Sequence, residues 1–541
     1  MSIEKNFNEL ALSHVPIVQC AENFPESKKA LTDVETGRTW TYKELNKDIN
    51  RLAHSFQEVQ LVKGDVIMGS LLNGSEFILS MYAALKTGSV FSPINFRLPP
   101  GDLAYHLEDS KPKIYIYDSE LEGIARDALR RSSHKPTMII SSGELENRSK
   151  DKPETDPPFP DDITPFDEAL RLYTSGTTGK AKGVPLSHLA NWLIVSLVCW
   201  QDQWFPVDRI LALSPFFHRA GNNAGFMPAL GCGAHVYTLK HFDPKAALDI
   251  IEKDRITFVM GAPPMFAGMI SMMMQKKNEG KKWDVSSLKG LDTMGAPLTR
   301  ALYESMCENL TRNIFNSDGN SESGWDIKQS PWAPADKWST TPVMNGIACP
   351  LHYVRVVKVY SEKKADPDDI VPRDGKTEGE MIVKCLFHDD HYHNKPERTE
   401  ASFRNGWFYT GDVVTWDEDG YFSIRSRSGD MILSGAENIY PEEVEAVLNE
   451  HPKVEDSVVV GVPDEMMGEK VGAYIRSNDP SITAEELDQY LVEHPKLARY
   501  KRPRYYKFIK DIPYTVTGKK IRYQLRDHIV EDLASGELKA V

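Results

Sequence analysis

The sequence predicts an α/β protein in which βαβ units come first, a β-rich portion follows and a small α+β domain ends the chain. Three observations carry this prediction. A chain of 541 residues is too long for one compact core. Helical and strand-like patterns alternate over the first 170 residues and recur up to residue 261, which is typical of a parallel sheet. From about residue 345 the pattern changes to short strands separated by turns.

Strand and helix signals place the first βαβ units. Thr41, with Glu44 three residues later, predicts a capping box at the start of an amphipathic helix. Residues 66–72 read as a buried strand, residues 77–85 as the next helix and residues 89–94 as the next strand. Three further strands of this kind are predicted at residues 209–213, 234–238 and 257–261.

The last part of the chain reads as a hairpin followed by a small α+β domain. The Asp-Gly pair at 419–420 is a hairpin signal. Pro441, with acidic residues in the first turn after it, predicts the start of a helix, and residues 458–462 read as a strand. Thr483 predicts the N-cap of a further helix. We place the domain boundary near residues 426–430.

Composition excludes several classes of protein. The formal net charge of −14 argues against a protein that binds nucleic acid or anionic membranes. Six scattered cysteines without a Cys-x-x-Cys pair indicate free thiols in a reducing compartment, not disulfides or a zinc site. The first 16 residues lack a signal-peptide pattern, and the longest apolar run, 192–200, is far shorter than a membrane span. We therefore expect a cytoplasmic protein without a membrane span.

The segment 173–184 has the composition of a phosphate-binding loop. Its twelve residues include three glycines, four Ser or Thr hydroxyls and two lysines. Glycines let backbone N–H groups approach an anion, and hydroxyl and ammonium groups supply further donors. A strand predicted over 168–172 precedes the segment, and an apolar helix opens at Ser187, so the loop leads toward a helix N-terminus. The alternative is an ordinary polar surface loop.

The spacing of this loop is not that of a P-loop. That motif needs four residues between its glycines and a Ser or Thr directly after the lysine. Here two residues separate Gly176 from Gly179, and Ala181 follows Lys180. A P-loop ATPase or switch protein is therefore disfavoured.

Further motifs follow the loop in a fixed order. They lie at residues 215–221, 294–298, 318–322, 409–412, 426–430, 434–441 and 513–519. With the loop, they resemble the signature motifs of the adenylate-forming superfamily of acyl-CoA synthetases, adenylation domains and luciferases, and most of all those of an acid–CoA ligase. The resemblance implies a large N-terminal domain over residues 1–426, a hinge at 427–430 and a small mobile C-terminal domain over 431–541.

The resemblance implies a site for ATP and AMP. Its residues are Thr174, Ser175, Gly176, Thr177, Thr178, Gly179, Lys182, Gly295, Ala296, Pro297, Asp318, Gly319, Ser321, Asp412 and Arg427. The loop would hold the β- and γ-phosphates, and Asp412 would accept hydrogen bonds from the ribose hydroxyls. Glu322 would be a catalytic ligand of Mg²⁺, which prefers carboxylate and phosphate oxygens.

The same resemblance implies sites for the acid and for CoA. Lys519 would bridge the carboxylate and the α-phosphate, and His218 would form a wall of the carboxylate pocket. The acyl pocket would be lined by Phe217, Gly225, Phe226, Met294 and Trp325. The loop that admits CoA would contain Ser434, Gly435, Ala436 and Glu437. The implied partners are a small-molecule carboxylic acid, ATP and CoA.

Four residues depart from the family pattern. Ala181 replaces a proline in the loop, and Asp318 replaces the aromatic residue that flanks adenine. Met294 replaces a glycine beside the acyl pocket and would narrow it. Gly429 stands at the hinge position, normally Asp or Lys, and glycine still permits a swivel.

Other interpretations stay open at this point. Each motif alone fits an ordinary turn, His218 alone fits a structural histidine and Lys519 alone fits a solvated lysine. A ligase that loads a carrier protein and a non-catalytic nucleotide-binding homologue are the alternatives to a CoA ligase. The histidine-rich run at 388–393 suggests a metal cluster, although solvated loop histidines are the better interpretation.

Overall fold

The computed structural model describes most of the chain. The described residues are 3–174, 181–280, 282–295, 298, 300–331, 333, 345–360, 363–387, 390–427, 430–434, 437–464, 468–495, 497–514 and 520–541. These residues form sixteen α-helices: α1 Ile3–Leu10, α2 Val15–Asn23, α3 Tyr42–Phe56, α4 Ser75–Lys86, α5 Pro100–Ser110, α6 Glu122–Arg131, α7 Leu145–Ser149, α8 His188–Asp202, α9 Met227–Gly231, α10 Pro244–Asp254, α11 Pro263–Asn278, α12 Arg300–Asn309, α13 Pro396–Ser402, α14 Pro441–Leu448, α15 Ala484–Glu493 and α16 Arg522–Ala534.

The same residues form twenty-six strands. They are β1 Lys29–Asp33, β2 Thr39–Thr41, β3 Val66–Ser70, β4 Val90–Pro93, β5 Ile114–Tyr117, β6 Met138–Ser141, β7 Glu168–Thr174, β8 Lys182–Ser187, β9 Arg209–Ala212, β10 His235–Thr238, β11 Phe258–Gly261, β12 Gly290–Met294, β13 Ile314–Asn320, β14 Gly324–Gln329, β15 Asn345–Ala348, β16 His352–Val357, β17 Gly379–Cys385, β18 Phe403–Arg404, β19 Trp407–Trp416, β20 Tyr421–Arg427, β21 Ile432–Ser434, β22 Glu437–Ile439, β23 Val454–Asp464, β24 Gly468–Ser477, β25 Tyr505–Phe508 and β26 Lys539–Ala540.

The strands assemble into three sheets. One has the order β6-β5-β3-β4-β7-β8, with only the β7–β8 pair antiparallel. The longest runs β16-β17-β19-β20-β15-β14-β13-β12-β11-β9-β10-β1-β2, and β18 pairs with β19. Its middle strands from β13 to β1 are parallel, while those from β14 to β16 are antiparallel. The later predicted βαβ units, with strands β9 to β11, therefore share one sheet with the β-rich portion, whereas β3 and β4 of the first units lie in the other sheet.

The third sheet belongs to the C-terminal part of the chain. It has the order β22-β21-β24-β25-β26, with β23 paired to β24. The chain leaves the long sheet at Arg427 and enters the third sheet at Ile432. This is the interval in which the sequence places the hinge, and the exact domain limits stay a prediction. The predicted fold class, a large α/β domain followed by a smaller domain, is confirmed.

Local signals place most of the predicted elements correctly. Thr41 caps α3 by accepting a hydrogen bond from the Glu44 backbone N–H, and the Glu44 carboxylate accepts one from the Thr41 N–H. Thr483 caps α15 in the same way through the N–H of Glu486. The predicted strands at 66–72, 89–94, 209–213, 234–238 and 257–261 are β3, β4, β9, β10 and β11.

One local prediction was wrong. The predicted phosphate loop does not lead directly into a helix, because β8 comes first and pairs antiparallel with β7. Ser187 does cap α8, accepting from the N–H of Ala190, but the loop joins two strands of a hairpin. Its ends are therefore fixed by the hydrogen bonds of a sheet and not by a helix terminus.

The largest hydrophobic core fills the space between the first two sheets. Helices α4 and α8 and strands from both sheets contribute to it. Phe77 lies at its centre, with edge-to-face contacts to Phe91 and Phe216 at ring-centroid distances of 5.5 Å. Such contacts are each worth about 0.5–1.5 kcal/mol beyond the area they bury. This core holds the sheet ends, where the site lies, at a fixed separation.

Candidate active site

The β7–β8 hairpin carries both ends of the predicted phosphate loop. Thr174 ends β7 and pairs with Lys182, the first residue of β8. The Oγ1 atom of Thr174 is buried and has no hydrogen-bond partner among the described residues. Buried polar atoms are usually paired, and an orphaned one is typical of a place where a ligand or water supplies the bond.

Lys182, Glu322 and Tyr392 meet at this hairpin. The Lys182 ammonium lies 2.9 Å from Oε1 of Glu322 and donates to the Tyr392 hydroxyl at 2.6 Å. The Tyr392 hydroxyl in turn donates to Oε1 of Glu322 at 2.6 Å. The ammonium also lies 4.0 Å from the centroid of the tyrosine ring, a cation–π contact. Three segments far apart in the chain thus share one small network.

This network keeps Glu322 ionised although its carboxyl is buried. Burial works to raise the pKa of the Glu322 carboxyl, but the Lys182 charge and the hydrogen bonds from Tyr392 and Lys182 hold that pKa below its ordinary value. Burial and the adjacent carboxylate raise the pKa of the Tyr392 hydroxyl, which therefore stays protonated and able to donate. The site presents a fixed anion next to a fixed cation.

Two glycines shape the turn that carries Glu322. A Cβ on Gly319 would lie 1.7 Å from the carbonyl oxygen of Gly324, which leaves room for glycine alone. Gly324 has a φ of +90°, a conformation that favours glycine. The turn between β13 and β14 therefore closes tightly and directs Glu322 toward Lys182.

Arg219 joins the His218 segment to the same turn. Its Nη1 donates to the Ser321 carbonyl oxygen at 2.6 Å, and its Nε donates to Oδ1 of Asn223 at 3.0 Å. The guanidinium is buried and packs so closely on Gly324 that a Cβ there would lie 3.1 Å from Nη2. The segment that contains His218 is thereby tied to the turn of Glu322, and the role of His218 as a pocket wall stays a prediction.

A short π-helix, Asn222–Phe226, follows His218. It is made possible by two glycines, because a Cβ on Gly221 would lie 2.1 Å from the Pro215 carbonyl oxygen and one on Gly225 would lie 2.7 Å from the carbonyl oxygen of Ala220. π-helical turns are rare and frequently lie at functional sites.

The predicted acyl-pocket residues are distributed over this region. The ring of Phe217 packs on that of His218, with 4.8 Å between the ring centroids. Met294 is buried at the end of β12, and Trp325 is buried at the start of β14. Phe226 is fully buried in the large core, with its ring 4.7 Å from that of Phe216. Phe226 thus serves packing, and its contact with an acyl group stays a prediction.

Asp412 lies across the site on β19, paired with Arg427 of β20. Its carboxyl is buried, and its N–H donates to Oγ1 of Thr410 at 3.0 Å. The half-buried Asp318 lies near the end of β13, and Gly295 follows β12 with a φ of +85°. Gly295, Asp318 and Gly319 thus lie at the adjacent ends of β12 and β13, whereas Asp412 lies within β19.

Several predicted site residues lie outside the described residues. They are Ser175, Gly176, Thr177, Thr178, Gly179, Ala296, Pro297, Gly429, Gly435, Ala436 and Lys519. Of Arg427 and Glu437 only the strand positions are described, in β20 and β22. Ser434 ends β21 and pairs with both Glu437 and Gly468. The roles of these residues stay predictions.

Sequence reasoning gave no role to three residues of the site. Tyr392 lies in the Tyr-x-x-x-Pro-Glu-x-Thr segment at 392–399, so a motif signal existed without an assigned role. Arg219 lies next to the singled-out His218, and Asp326 lies next to Trp325. No local signal marks either charge as buried, because their partners come from distant segments.

Glu322 is the candidate metal ligand of this site, and residues 388–389 of the histidine-rich run lie outside the described residues. No group of three or more His, Cys, Asp or Glu able to hold a metal ion occurs within the described part of the chain. From the histidine-rich run, His393 is half-buried and its Nε2 lies 3.1 Å from the Asp109 carbonyl oxygen. A single ionised carboxylate fits Mg²⁺ that takes its other ligands from phosphate and water. None of the described helices is both long and apolar enough to cross a membrane.

Comparison with known proteins assigns the class. The model of the AMP-binding enzyme family matches residues 17–385, and that of the AMP-binding enzyme C-terminal domain matches residues 443–519. Because the first match covers more than half of the chain, this protein belongs to the AMP-binding enzyme family. The predicted resemblance to adenylate-forming enzymes is thereby confirmed.

Individual relatives are ligases of carboxylic acids. The chain is 31% identical over 506 residues to the fatty acid–[acyl-carrier-protein] ligase ScoC of Streptomyces coeruleorubidus, covering 92% of this chain and 93% of that protein. It is 32% identical to a feruloyl-CoA synthase from an Amycolatopsis species, over 91% of this chain and 94% of that one. The structure of o-succinylbenzoate CoA synthetase from Bacillus subtilis with its acyl-adenylate intermediate has a TM-score of 0.80 and 27% identity, covering 95% and 98% of the two chains.

Proposed function

We propose that the protein is an ATP-dependent acid–CoA ligase that forms an acyl-CoA thioester through an acyl-AMP intermediate and releases AMP and pyrophosphate. The observation that carries the proposal is the Lys182–Glu322–Tyr392 network at the ends of the phosphate loop. Family membership over both parts of the chain supports the same activity.

In the first half-reaction the carboxylate of the acid attacks the α-phosphorus of ATP. The bond to the β-phosphate oxygen breaks, and pyrophosphate leaves. Residues 174–182 hold the β- and γ-phosphates, and Lys519 stabilises the charge that shifts between the carboxylate and the α-phosphate. His218 forms the wall against which the carboxylate is placed.

Glu322 would hold Mg²⁺ in this arrangement, and the ion would neutralise phosphate charge and thereby favour departure of pyrophosphate. The carboxylate oxygen that accepts a hydrogen bond from Tyr392 also faces the Lys182 ammonium, at 2.9 Å. The oxygens of a bound triphosphate would attract Lys182, and Glu322 would then be free to hold the cation. Tyr392 would keep the carboxylate oriented during this exchange.

The nucleoside is held by residues on either side of the turn between β13 and β14. Asp412 and Arg427 contact the ribose, and adenine lies between residues 295–297 and 318–321. Asp318 offers a carboxylate where an aromatic ring is usual, so adenine is held here by hydrogen bonds and packing without that stacking face.

In the second half-reaction the C-terminal domain rotates about residues 427–430. The rotation withdraws Lys519 and brings the loop at 434–437 to the site. The CoA thiol then attacks the acyl carbonyl, forming the thioester while AMP leaves with the C–O bond electrons.

The free thiols of all six cysteines agree with a cytoplasmic location.

A second candidate is a ligase that transfers the acyl group to a carrier protein. The observation that favours it is the 31% identity to ScoC, whose name states that activity. Incubating the protein and its acyl-AMP with CoA or with a phosphopantetheinyl carrier protein, in separate reactions, distinguishes the two acceptors. A CoA thioester detected by mass supports the first candidate, and only acyl-carrier product supports the second.

Lys519→Ala tests the proposed chemistry directly. Exchange of labelled pyrophosphate into ATP should fall by at least a hundredfold in this variant, since Lys519 serves only the first half-reaction. Thioester formation from supplied acyl-AMP should persist. Equal loss of both half-reactions would contradict the assigned role, and the absence of pyrophosphate exchange in the unmodified protein with every acid would favour a non-catalytic nucleotide-binding protein.

A further inference from the structure

Helix α5 contacts the β7–β8 hairpin on both sides of the predicted phosphate loop. The Tyr173 hydroxyl, one residue before the end of β7, donates to Oδ2 of Asp109 at 2.7 Å. About one turn earlier on α5, the Tyr105 hydroxyl donates to the Ala181 carbonyl oxygen at 2.8 Å. Ala181 directly precedes β8. One helix is therefore bonded to the two points from which the loop starts and to which it returns.

The last turn of α5 also contacts the segment that carries Tyr392. The Asp109 carbonyl oxygen lies 3.1 Å from Nε2 of His393, and the Asp109 carboxylate lies 3.9 Å from the Lys395 ammonium. The backbone N–H of His393 in turn donates to the Gly183 carbonyl oxygen at 2.9 Å, which joins this segment to β8. Asp109 therefore lies where α5, the hairpin and the Tyr392 segment meet.

The surroundings make the hydrogen bond between Tyr173 and Asp109 strong. The Asp109 side chain is only 8% exposed, and the Tyr173 ring packs edge-on against the buried ring of His106, with 4.4 Å between the centroids. Burial, followed by the charge of Asp109, raises the pKa of the Tyr173 hydroxyl, which therefore stays protonated and donates. Hydrogen bonds to an ionised carboxylate are roughly twice as strong as those between neutral groups.

We infer that Asp109 is a positioning residue for the phosphates of ATP, an inference that rests on the proposed function. Its carboxylate fixes Tyr173, and the next residue along β7 is Thr174, where the loop begins. Its contacts with the segment after Tyr392 keep the hydroxyl that accepts from Lys182 beside the same hairpin. Asp109 thus acts through these side chains and not on the substrate itself.

The two half-reactions separate a positioning role from a merely structural one. Only the first half-reaction uses the β- and γ-phosphates that the hairpin loop is proposed to hold. Loss of the Asp109 carboxylate should therefore weaken the binding of ATP and leave the acid and the second half-reaction unaffected. A general loss of stability would instead change the kinetics of both substrates and of both half-reactions together.

Asp109→Ala tests this inference in the full-length protein. In pyrophosphate exchange, with an acid that the unmodified protein uses, KM for ATP should rise about tenfold, as expected when a hydrogen bond to a charged group is lost. KM for the acid should stay unchanged, as should thioester formation from supplied acyl-AMP and CoA. Tyr173→Phe removes only the hydroxyl and should raise KM for ATP in the same way. The double variant should be no worse than Asp109→Ala, because both changes remove one and the same bond.

Asp102→Ala is the matched control, because it removes an exposed carboxylate from the first turn of the same helix. It should keep all three values. If Asp109→Ala keeps KM for ATP, or impairs both half-reactions equally, the inference is wrong while the ligase stands. Should Asp109→Ala not fold, Tyr173→Phe, which keeps the buried ring, decides by the same values. If no acid supports exchange in the unmodified protein, the proposed function fails and the inference with it.

Discussion

Lys182→Met should destabilise the protein by leaving the buried Glu322 carboxylate without its cation. The ammonium lies 2.9 Å from that carboxylate, and the two side chains are 23% and 7% exposed. Removing one partner of a buried ion pair costs about 3–5 kcal/mol, and the partial exposure of Lys182 places the expected cost near the lower end, about 3 kcal/mol. Urea unfolding followed by tryptophan fluorescence measures this loss.

The cost should depend on pH in a defined direction. Lys182 and Tyr392 hold the pKa of Glu322 below its ordinary value, so the pair contributes stability above the unfolded pKa, which is lost as the pH falls through the folded pKa. Without the ammonium, burial dominates and raises the pKa of the Glu322 carboxyl. The gap in stability between the variant and the unmodified protein should therefore be largest at pH 8 and smaller at pH 5.

Two comparisons make this prediction decisive. Lys245→Met breaks a pair with Asp249 in which the two side chains are 63% and 46% exposed, and it should leave the free energy of unfolding nearly unchanged. Adding Glu322→Gln to Lys182→Met should restore most of the loss, because no buried charge remains. A gap that is equal at pH 5 and pH 8, together with no recovery in the double variant, would refute the reasoning.

Three further changes have outcomes fixed by the structure. Gly319→Ala should abolish pyrophosphate exchange, at least a hundredfold, since the new Cβ would lie 1.7 Å from the Gly324 carbonyl oxygen. Asp326→Asn should stabilise the protein at pH 8, because burial raises the pKa of the Asp326 carboxyl from 3.8 to about 7 and the ionised form is therefore costly. The gain in the free energy of unfolding should be at most about 4 kcal/mol. Measured by urea unfolding, it should shrink toward pH 5, where the carboxyl of the folded protein is protonated. Lys520→Met should remove one of the two cations on the buried Glu445 while Arg522 stays, and should destabilise the C-terminal domain by about 1.5–3 kcal/mol, detected as faster limited proteolysis.

Each of these three predictions has a control variant or an outcome that would contradict it. Gly101→Ala, at an exposed position with open space around its Cβ, should keep full exchange. A gain from Asp326→Asn that is as large at pH 5 as at pH 8 would show that ionisation is not the cause. Unchanged proteolysis of Lys520→Met would mean that the ion cluster around Glu445 contributes little.

The sequence predicted the elements whose signals are local. The Thr41–Glu44 capping box and the apolar runs of β3 and β4 determine their structure within a few residues. Strand β8 was not predicted, because it contains Pro185, which removes a backbone donor. In the described sheet β8 is an edge strand beside β7, where that donor is not required.

Long-range contacts explain what the sequence could not show. Glu322 was assigned from its motif, but Tyr392, which donates to it, lies 70 residues further along the chain. The burial of Asp326 depends on a bulge that only the pairing of two strands creates. Local patterns report which residue types occur at a site, whereas charge burial and hydrogen-bond partners are set when distant strands meet.

Each of the two parts of the chain contains a buried ion pair close to a residue that the proposed mechanism uses. In the large domain Lys182 faces Glu322, and in the small domain Lys520 lies 3.0 Å from Glu445, directly after the segment that ends in Lys519. Arg522 also pairs with Glu445, at 2.9 Å, two residues further on. All three side chains of the second cluster lie in the predicted C-terminal domain, so the proposed rotation of that domain would leave their ion pairs intact. The proposed mechanism needs this, because its two half-reactions place the same domain in two orientations.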